Sequence, residues 1–192
     1  MLEHLNILLG VTGGIAAYKA VDLAGKLTAC GAGVSTVMTE SACRFVGPKS
    51  FEAVTGSAVY TTMWSTPEKH EISHIALADA ADIVVVAPAT ANIIGKIANG
   101  ICDDLLSTVL CTCWPRIESG AALLAPAMNN NMWANPTVQA NVKRIKEIGF
   151  QLIGPVEGRL ACGSEGLGRM SEPRDILNAI EEISSKIKKR DT

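Results

Sequence analysis

Leu5-Asn-Ile-Leu-Leu-Gly-Val11 runs directly into Thr12-Gly-Gly-Ile-Ala-Ala17. The first half is a short, continuous apolar run, the form a strand takes when both faces of a parallel sheet are covered. The second half places two glycines where a helix must begin. Ala17, Val21, Leu23, Ala24 and Leu27 then give that helix an apolar side until Gly31. A buried strand passed by glycines to an amphipathic helix is half of a βαβ unit, and the chain goes on alternating. Gly33–Met38, Ile83–Ala87, Ala121–Ala125 and Gln151–Ile153 read as strands, with Pro88 expected to end the second of these. Helices are expected over Thr90–Asn99, Asp104–Cys113, Pro136–Ile148 and Pro173–Lys188. Residues 45–73 look irregular, punctuated by Pro48, Gly56 and Pro67, and residues 157–170 show no apolar period.

The alternation predicts one α/β domain over residues 1–192, a doubly wound parallel sheet of flavodoxin or Rossmann type with helices on both faces. Hydrophobic residues make up 48% and aromatics 4%, so the core must be aliphatic and alanine-rich. A net charge of −2 gives no electrostatic case for nucleic acid. The longest apolar run, Ile83–Ala89, is too short to cross a bilayer, and no membrane association is expected. Met1–Asn6 lacks a basic n-region, so no secretory leader is expected and the cytoplasm is the expected compartment. None of the six cysteines forms a Cys-x-x-Cys pair, and their spacing suits neither a metal site nor a disulfide framework. All but Cys162 sit in apolar helical contexts and read as inert small hydrophobes.

Ligands of open parallel sheets bind outside the carboxyl ends of strands. Gly13 and Gly14 let the backbone approach an anion there, and the new helix start offers N–H groups to it; the alternative is a tight turn. Thr39 and Ser41 follow the second strand, and Thr90 and Asn92 follow Pro88. Each alone reads as a helix cap, but together they favour a mononucleotide phosphate. No acidic residue stands where a dinucleotide's ribose would be selected, so FMN fits better than NAD.

Three side chains are candidates for chemistry. His74 starts a helical pattern, and on spacing alone it reads first as a cap or as a ring bonded to backbone. Asn129, just past the Ala121–Ala125 strand, can hold a carboxylate without adding a charge, which suits decarboxylation better than lysine or arginine would. The bland reading is a left-handed turn asparagine, the form expected of Asn130 and Asn131, with Met128, Met132 and Trp133 packing the turn. Cys162 is flanked by glycine in a loop of lid-like composition, bracketed by Arg159 and Arg169.

Four segments carry a resemblance that covers Ile7 to about Ile180: Thr12-Gly-Gly-Ile-Ala-Ala-Tyr-Lys19; His74-Ile-Ala-Leu with Ala87-Pro-Ala-Thr-Ala-Asn92; Pro126-Ala-Met-Asn-x-x-Met-Trp133; and Arg159-Leu-Ala-Cys-Gly-x-x-Gly-x-Gly-Arg-Met170. The chain resembles the flavin-dependent cysteine decarboxylases, most closely the branch acting on phosphopantothenoylcysteine in coenzyme A biosynthesis. The resemblance implies FMN as cofactor. Its phosphate would lie at Gly13, Gly14 and Ile15 near Thr39 and Ser41, and Thr90, Ala91, Asn92, Ile93 and Ala127 would line the remainder. It also implies catalytic roles for His74, Asn129 and Cys162, and places Arg159, Ala161 and Met170 on a substrate flap spanning 157–170. The implied reaction oxidises the cysteinyl thiol, releases CO2 and restores the saturated thiol, with the flavin carrying electrons and Cys162 supplying a proton. Homotrimers or dodecamers with flavin between subunits, and a ligase partner, belong to the same expectation.

Many such proteins carry asparagine where this chain has Asp103 or Asp104. Two other readings are a peptidyl-cysteine decarboxylase of the lantibiotic type and a non-catalytic flavin-binding regulator. The first does not need the flap cysteine. The second is often extended by long acidic segments that this sequence lacks.

Overall fold

The computed structural model describes residues 2–64, 73–159, 163 and 165–187. Six parallel strands form the central sheet: β1 (Asn6–Val11), β2 (Gly33–Met38), β3 (Val59–Tyr60), β4 (Ile83–Ala89), β5 (Ala122–Pro126) and β6 (Gln151–Leu152). Their order is β3-β2-β1-β4-β5-β6, so the winding reverses between β1 and β4. At such a reversal the connections leave in opposite directions and a crevice opens at the carboxyl end of the sheet. The doubly wound sheet read from the sequence is therefore the fold observed.

Alternate residues of the strands feed two cores. On one face Ile7, Leu9, Val11, Val85 and Leu123 meet α1 (Ala17–Ala29), α3 (Pro48–Thr55) and α10 (Pro173–Lys186). On the other, Leu8, Val84, Val86 and Leu124 meet α4 (Ser73–Ala80), α5 (Ala91–Asn99), α6 (Leu105–Thr112) and α9 (Pro136–Glu147). All seven β4 residues are buried, as two-sided coverage demands. No helix among the described residues is long and apolar enough to cross a membrane.

The structure departs from expectation where turn residues turn out to be helix ends. Pro48 is not a loop marker but the first residue of α3, and Gly56, at φ +66°, closes that helix. The 45–73 stretch thus holds a helix and the edge strand β3. Pro88 does not end β4, which continues to Ala89 across a register shift between Val86 and Ala89. A residue without an N–H is tolerated at such an irregularity. Short helices α2 (Glu40–Cys43), α7 (Trp114–Glu118) and α8 (Asn130–Ala134) complete the helical set. Asn130 and Asn131 open α8 rather than adopting left-handed turns.

The segment expected to lack regular structure contains an antiparallel hairpin, β7 (Val156–Arg159) and β8 (Glu165–Arg169), separate from the main sheet. Met170 and Ser171, both buried, root it in the first core ahead of α10.

Candidate active site

The carboxyl ends of β1, β2, β4 and β5 open into a cleft of about 1160 Å³. Hydrogen bonds hold these ends together. Thr39 N–H donates to Val11 O at 3.0 Å, and Ala127 N–H to Ala89 O at 3.0 Å. Thr12, 2% exposed, is central: its hydroxyl donates to Pro88 O at 2.7 Å and accepts from Thr90 N–H at 3.2 Å. It thereby locks the glycine turn after β1 to the start of α5. Sequence reasoning passed over Thr12; its position between a buried strand and two glycines was the available signal.

Thr12→Val should cost about 2 kcal/mol, because one isosteric change strands a buried donor and a buried acceptor. The same exchange at Thr36, whose buried hydroxyl has no hydrogen-bond partner among the described residues, should be neutral or stabilising. Urea unfolding of the two variants measures the contrast, and equal shifts would count against the lock.

Gly13, Gly14 and Ile15 form one wall. A Cβ at Gly13 would stand 2.4 Å from Ser41 Cβ and 2.8 Å from Ser41 C, so only glycine lets this turn lie against the start of α2. The Gly13 to Ala16 N–H groups have no backbone partner among the described residues. Together with the Ser41 hydroxyl they make an anion cradle at the start of α1. Thr39 borders it while capping α2, its Oγ1 accepting from Ala42 N–H at 3.2 Å. Thr90, Ala91, Asn92, Ile93 and Ala127 continue the lining.

Asn129 borders the cleft as the N-cap of α8. Its φ and ψ of −59° and 148° are extended, not left-handed. Oδ1 accepts from Asn131 N–H at 2.8 Å, which fixes the amide plane. Met132, expected to pack the turn, is half exposed and borders the cleft. Against this turn lies β8: Met128 N–H donates to Gly168 O at 2.9 Å. Arg159 lies on the rim, whereas Met170 borders the cleft from within the core. Ala161 and Cys162 lie outside the described residues, in the segment joining β7 to β8. His74 does not line the cleft; it is partly buried at the start of α4.

Two ion clusters border the cleft. Lys96 donates to Asp103 at 2.6 Å and Asp104 at 2.5 Å, and Asp104 also accepts from Ser107 N–H at 2.8 Å in a capping box that starts α6. Burial alone would raise the Asp104 pKa. The Lys96 ammonium and the Ser107 donors outweigh it and hold that carboxyl below its ordinary value. Asp104 therefore stabilises the fold above its unfolded pKa, and that contribution is lost as pH falls through the folded value. Thermal melts below about pH 4 should show wild type losing stability faster than Asp104→Asn, since asparagine caps equally well without titrating. Parallel curves would remove Asp104 from this role. In the second cluster Lys19 and Arg169 share Glu172.

The cysteines differ from expectation. Cys102 and Cys111 are exposed, not tucked into apolar surroundings. Cys113 is buried as expected, and burial pushes its thiol up to about 12.

A sequence-family profile described as Flavoprotein matches residues 1–185. The chain belongs to the Flavoprotein family. It is 47% identical over 182 residues to the Coenzyme A biosynthesis bifunctional protein CoaBC of Bacillus subtilis (strain 168), matching 95% of this chain and 44% of that protein. The chain thus spans less than half the length of that relative. Among solved structures, a PPC decarboxylase variant complexed with pantothenoylaminoethenethiol superposes with a TM-score of 0.83 at 33% identity, covering 94% of this chain and 98% of that one. The FMN-binding protein AtHal3 gives 0.81 at 34% identity, covering 96% and 98%. The resemblance to flavin-dependent cysteine decarboxylases read from the sequence is borne out by these likenesses.

Proposed function

We propose that the chain is an FMN-dependent carboxy-lyase that converts 4′-phosphopantothenoylcysteine to 4′-phosphopantetheine in coenzyme A biosynthesis. The observation carrying this reading is the meeting of the Asn129 turn with the β7–β8 hairpin at the mouth of a strand-end cleft that has its own anion cradle. The cleft fits FMN on its own terms. The Gly13–Ala16 N–H groups and the Ser41 and Thr39 hydroxyls suit a phosphate, and the apolar lining from Ala91, Ile93 and Ala127 suits a flat ring. Bound FMN would supply the reversible two-electron chemistry that the side chains lack.

The residues would do the rest. Asn129 would hold the cysteinyl carboxylate through its amide, leaving it without a counter-charge that would oppose CO2 loss. Cys162 would deliver a proton to the carbon that lost CO2. Arg159 and Ala161 would hold the substrate from the hairpin, and Met170 would anchor that hairpin. His74 would orient or deprotonate the thiol. Its place outside its own chain's cleft suits a homotrimer, or a dodecamer built from trimers, in which one copy's His74 serves its neighbour's flavin. A ligase partner and a cytoplasmic location go with this reading.

The test is direct. Protein loaded with FMN is supplied with 4′-phosphopantothenoylcysteine, and CO2 and 4′-phosphopantetheine are followed. Absence of both products from flavin-loaded protein overturns the proposal. Preferential turnover of a peptide ending in cysteine would move the reading to the lantibiotic type, against which Cys162 in Ala-Cys-Gly stands.

A further inference from the structure

The function proposed above requires one cleft to receive two phosphate monoesters, the cofactor's and the substrate's. The cradle at Gly13 and Gly14 can take one of them. It is built from backbone N–H groups and hydroxyls, which suits a group bound throughout turnover.

A chemically different cluster stands on the same rim. Lys19, in the first turn of α1, and Arg169, at the end of β8, both line the cleft. Both donate to one atom, Oε1 of Glu172, with Lys19 Nζ at 2.8 Å. Glu172 itself is not among the lining residues, so its carboxylate stands behind the two cations. Hydrogen bonds from Lys19 and Arg169 hold that carboxyl below its ordinary value, so it is ionised at neutral pH. One carboxylate cannot balance two cations, and Arg159 on the same rim adds a third. The cluster therefore presents excess positive charge to the cleft.

Donors remain as well. An ammonium has three N–H groups and a guanidinium five, and Glu172 takes one from each. The Arg169 guanidinium lies over β7, where a Cβ at Gly158 would come 3.1 Å from Nη1. Both cations are therefore fixed before a ligand arrives, which lowers the ordering cost of binding.

We propose that Lys19 and Arg169, clamped from behind by Glu172, form the seat of the substrate's terminal phosphate. The proposal rests on the reading of this cleft as one that takes a phosphorylated pantothenoyl substrate, and it adds the source of specificity for the phosphorylated form.

Binding tests it independently of turnover. FMN-loaded wild type, Arg169→Gln, Lys19→Met and Arg169→Lys are titrated calorimetrically with 4′-phosphopantetheine and with pantetheine. Wild type should prefer the phosphorylated ligand by about 100-fold, and Arg169→Gln and Lys19→Met should each reduce that preference by about tenfold. Arg169→Lys should retain part of it. The KM for 4′-phosphopantothenoylcysteine should rise with the same pattern while kcat stays within about twofold, the signature of lost uniform binding. Equal wild-type affinity for the two ligands overturns the proposal. So does equal weakening of both ligands in the variants, the mark of a purely structural clamp. Weaker FMN binding by the apoproteins, with the preference intact, also overturns it by giving the cations to the cofactor. If wild type shows the preference but releases no CO2, the phosphate seat stands and the decarboxylase reading falls.

Discussion

Gly168→Ala is expected to lower kcat for 4′-phosphopantothenoylcysteine by about 100-fold or more, since misplacing a reacting group by about 1 Å has that effect. A Cβ at this position would stand 2.2 Å from Met128 O and 3.3 Å from Asn130 N. Both atoms are backbone, so no rotamer change relieves the clash. Either the hairpin or the turn must move, and the Met128 N–H to Gly168 O bond goes with it. Asn129 lies within that turn, and Cys162 belongs to the segment the hairpin carries. Overpacking of this kind should cost on the order of 1–3 kcal/mol, small beside the kinetic effect. FMN loading should survive, because the Gly13 cradle lies in the turn between β1 and α1, away from the hairpin. Gly47→Ala, where an added Cβ meets nothing within 4 Å, is the control and should leave turnover unchanged. Near-normal kcat in the Gly168 variant would mean that the hairpin does not set the geometry of the reaction.

Asn129→Asp should lower kcat by about 1000-fold with little change in stability, because it removes a positioned donor and adds like charge against the substrate carboxylate. Aspartate caps a helix as well as asparagine does, so the acceptor bond from Asn131 N–H and the start of α8 should persist. The two effects separate by pH. Lowering pH protonates the new carboxyl, removes the repulsion and restores a donor, so the ratio of wild-type to variant activity should shrink toward acid. A ratio that does not change with pH, or an active variant at neutral pH, would remove Asn129 from contact with the carboxylate.

Much of this was readable from the chain because the sheet is buried on both faces. Ile83–Val86 has no polar alternative, and the diglycine after Val11 has no packing reason to be there without a turn. The lining at Gly13, Thr39, Thr90 and Asn92 follows from topology alone, since each lies just past the carboxyl end of a parallel strand. What escaped depends on partners distant in sequence. The glycines of β8 looked like a loop because their reason lies some forty residues earlier, the Asn130 side chain for Gly166 and the backbone of Met128 and Asn130 for Gly168. Thr12 looked like part of a turn until Pro88 O and Thr90 N–H supplied its partners. Lys19 and Glu172 lie at opposite ends of the chain, and no local pattern links them. His74 falls in the first turn of α4, and its place outside the cleft of its own chain has no signature in a single sequence.

The β7–β8 ribbon shares no ladder with the main sheet and is moored through Gly168 and Met170. On the proposed reading, the ribbon's share of substrate choice can therefore be varied apart from the redox platform. Transplanting 156–169 between relatives, with those moorings kept, is a route to new acceptor ranges that leaves the flavin seat untouched.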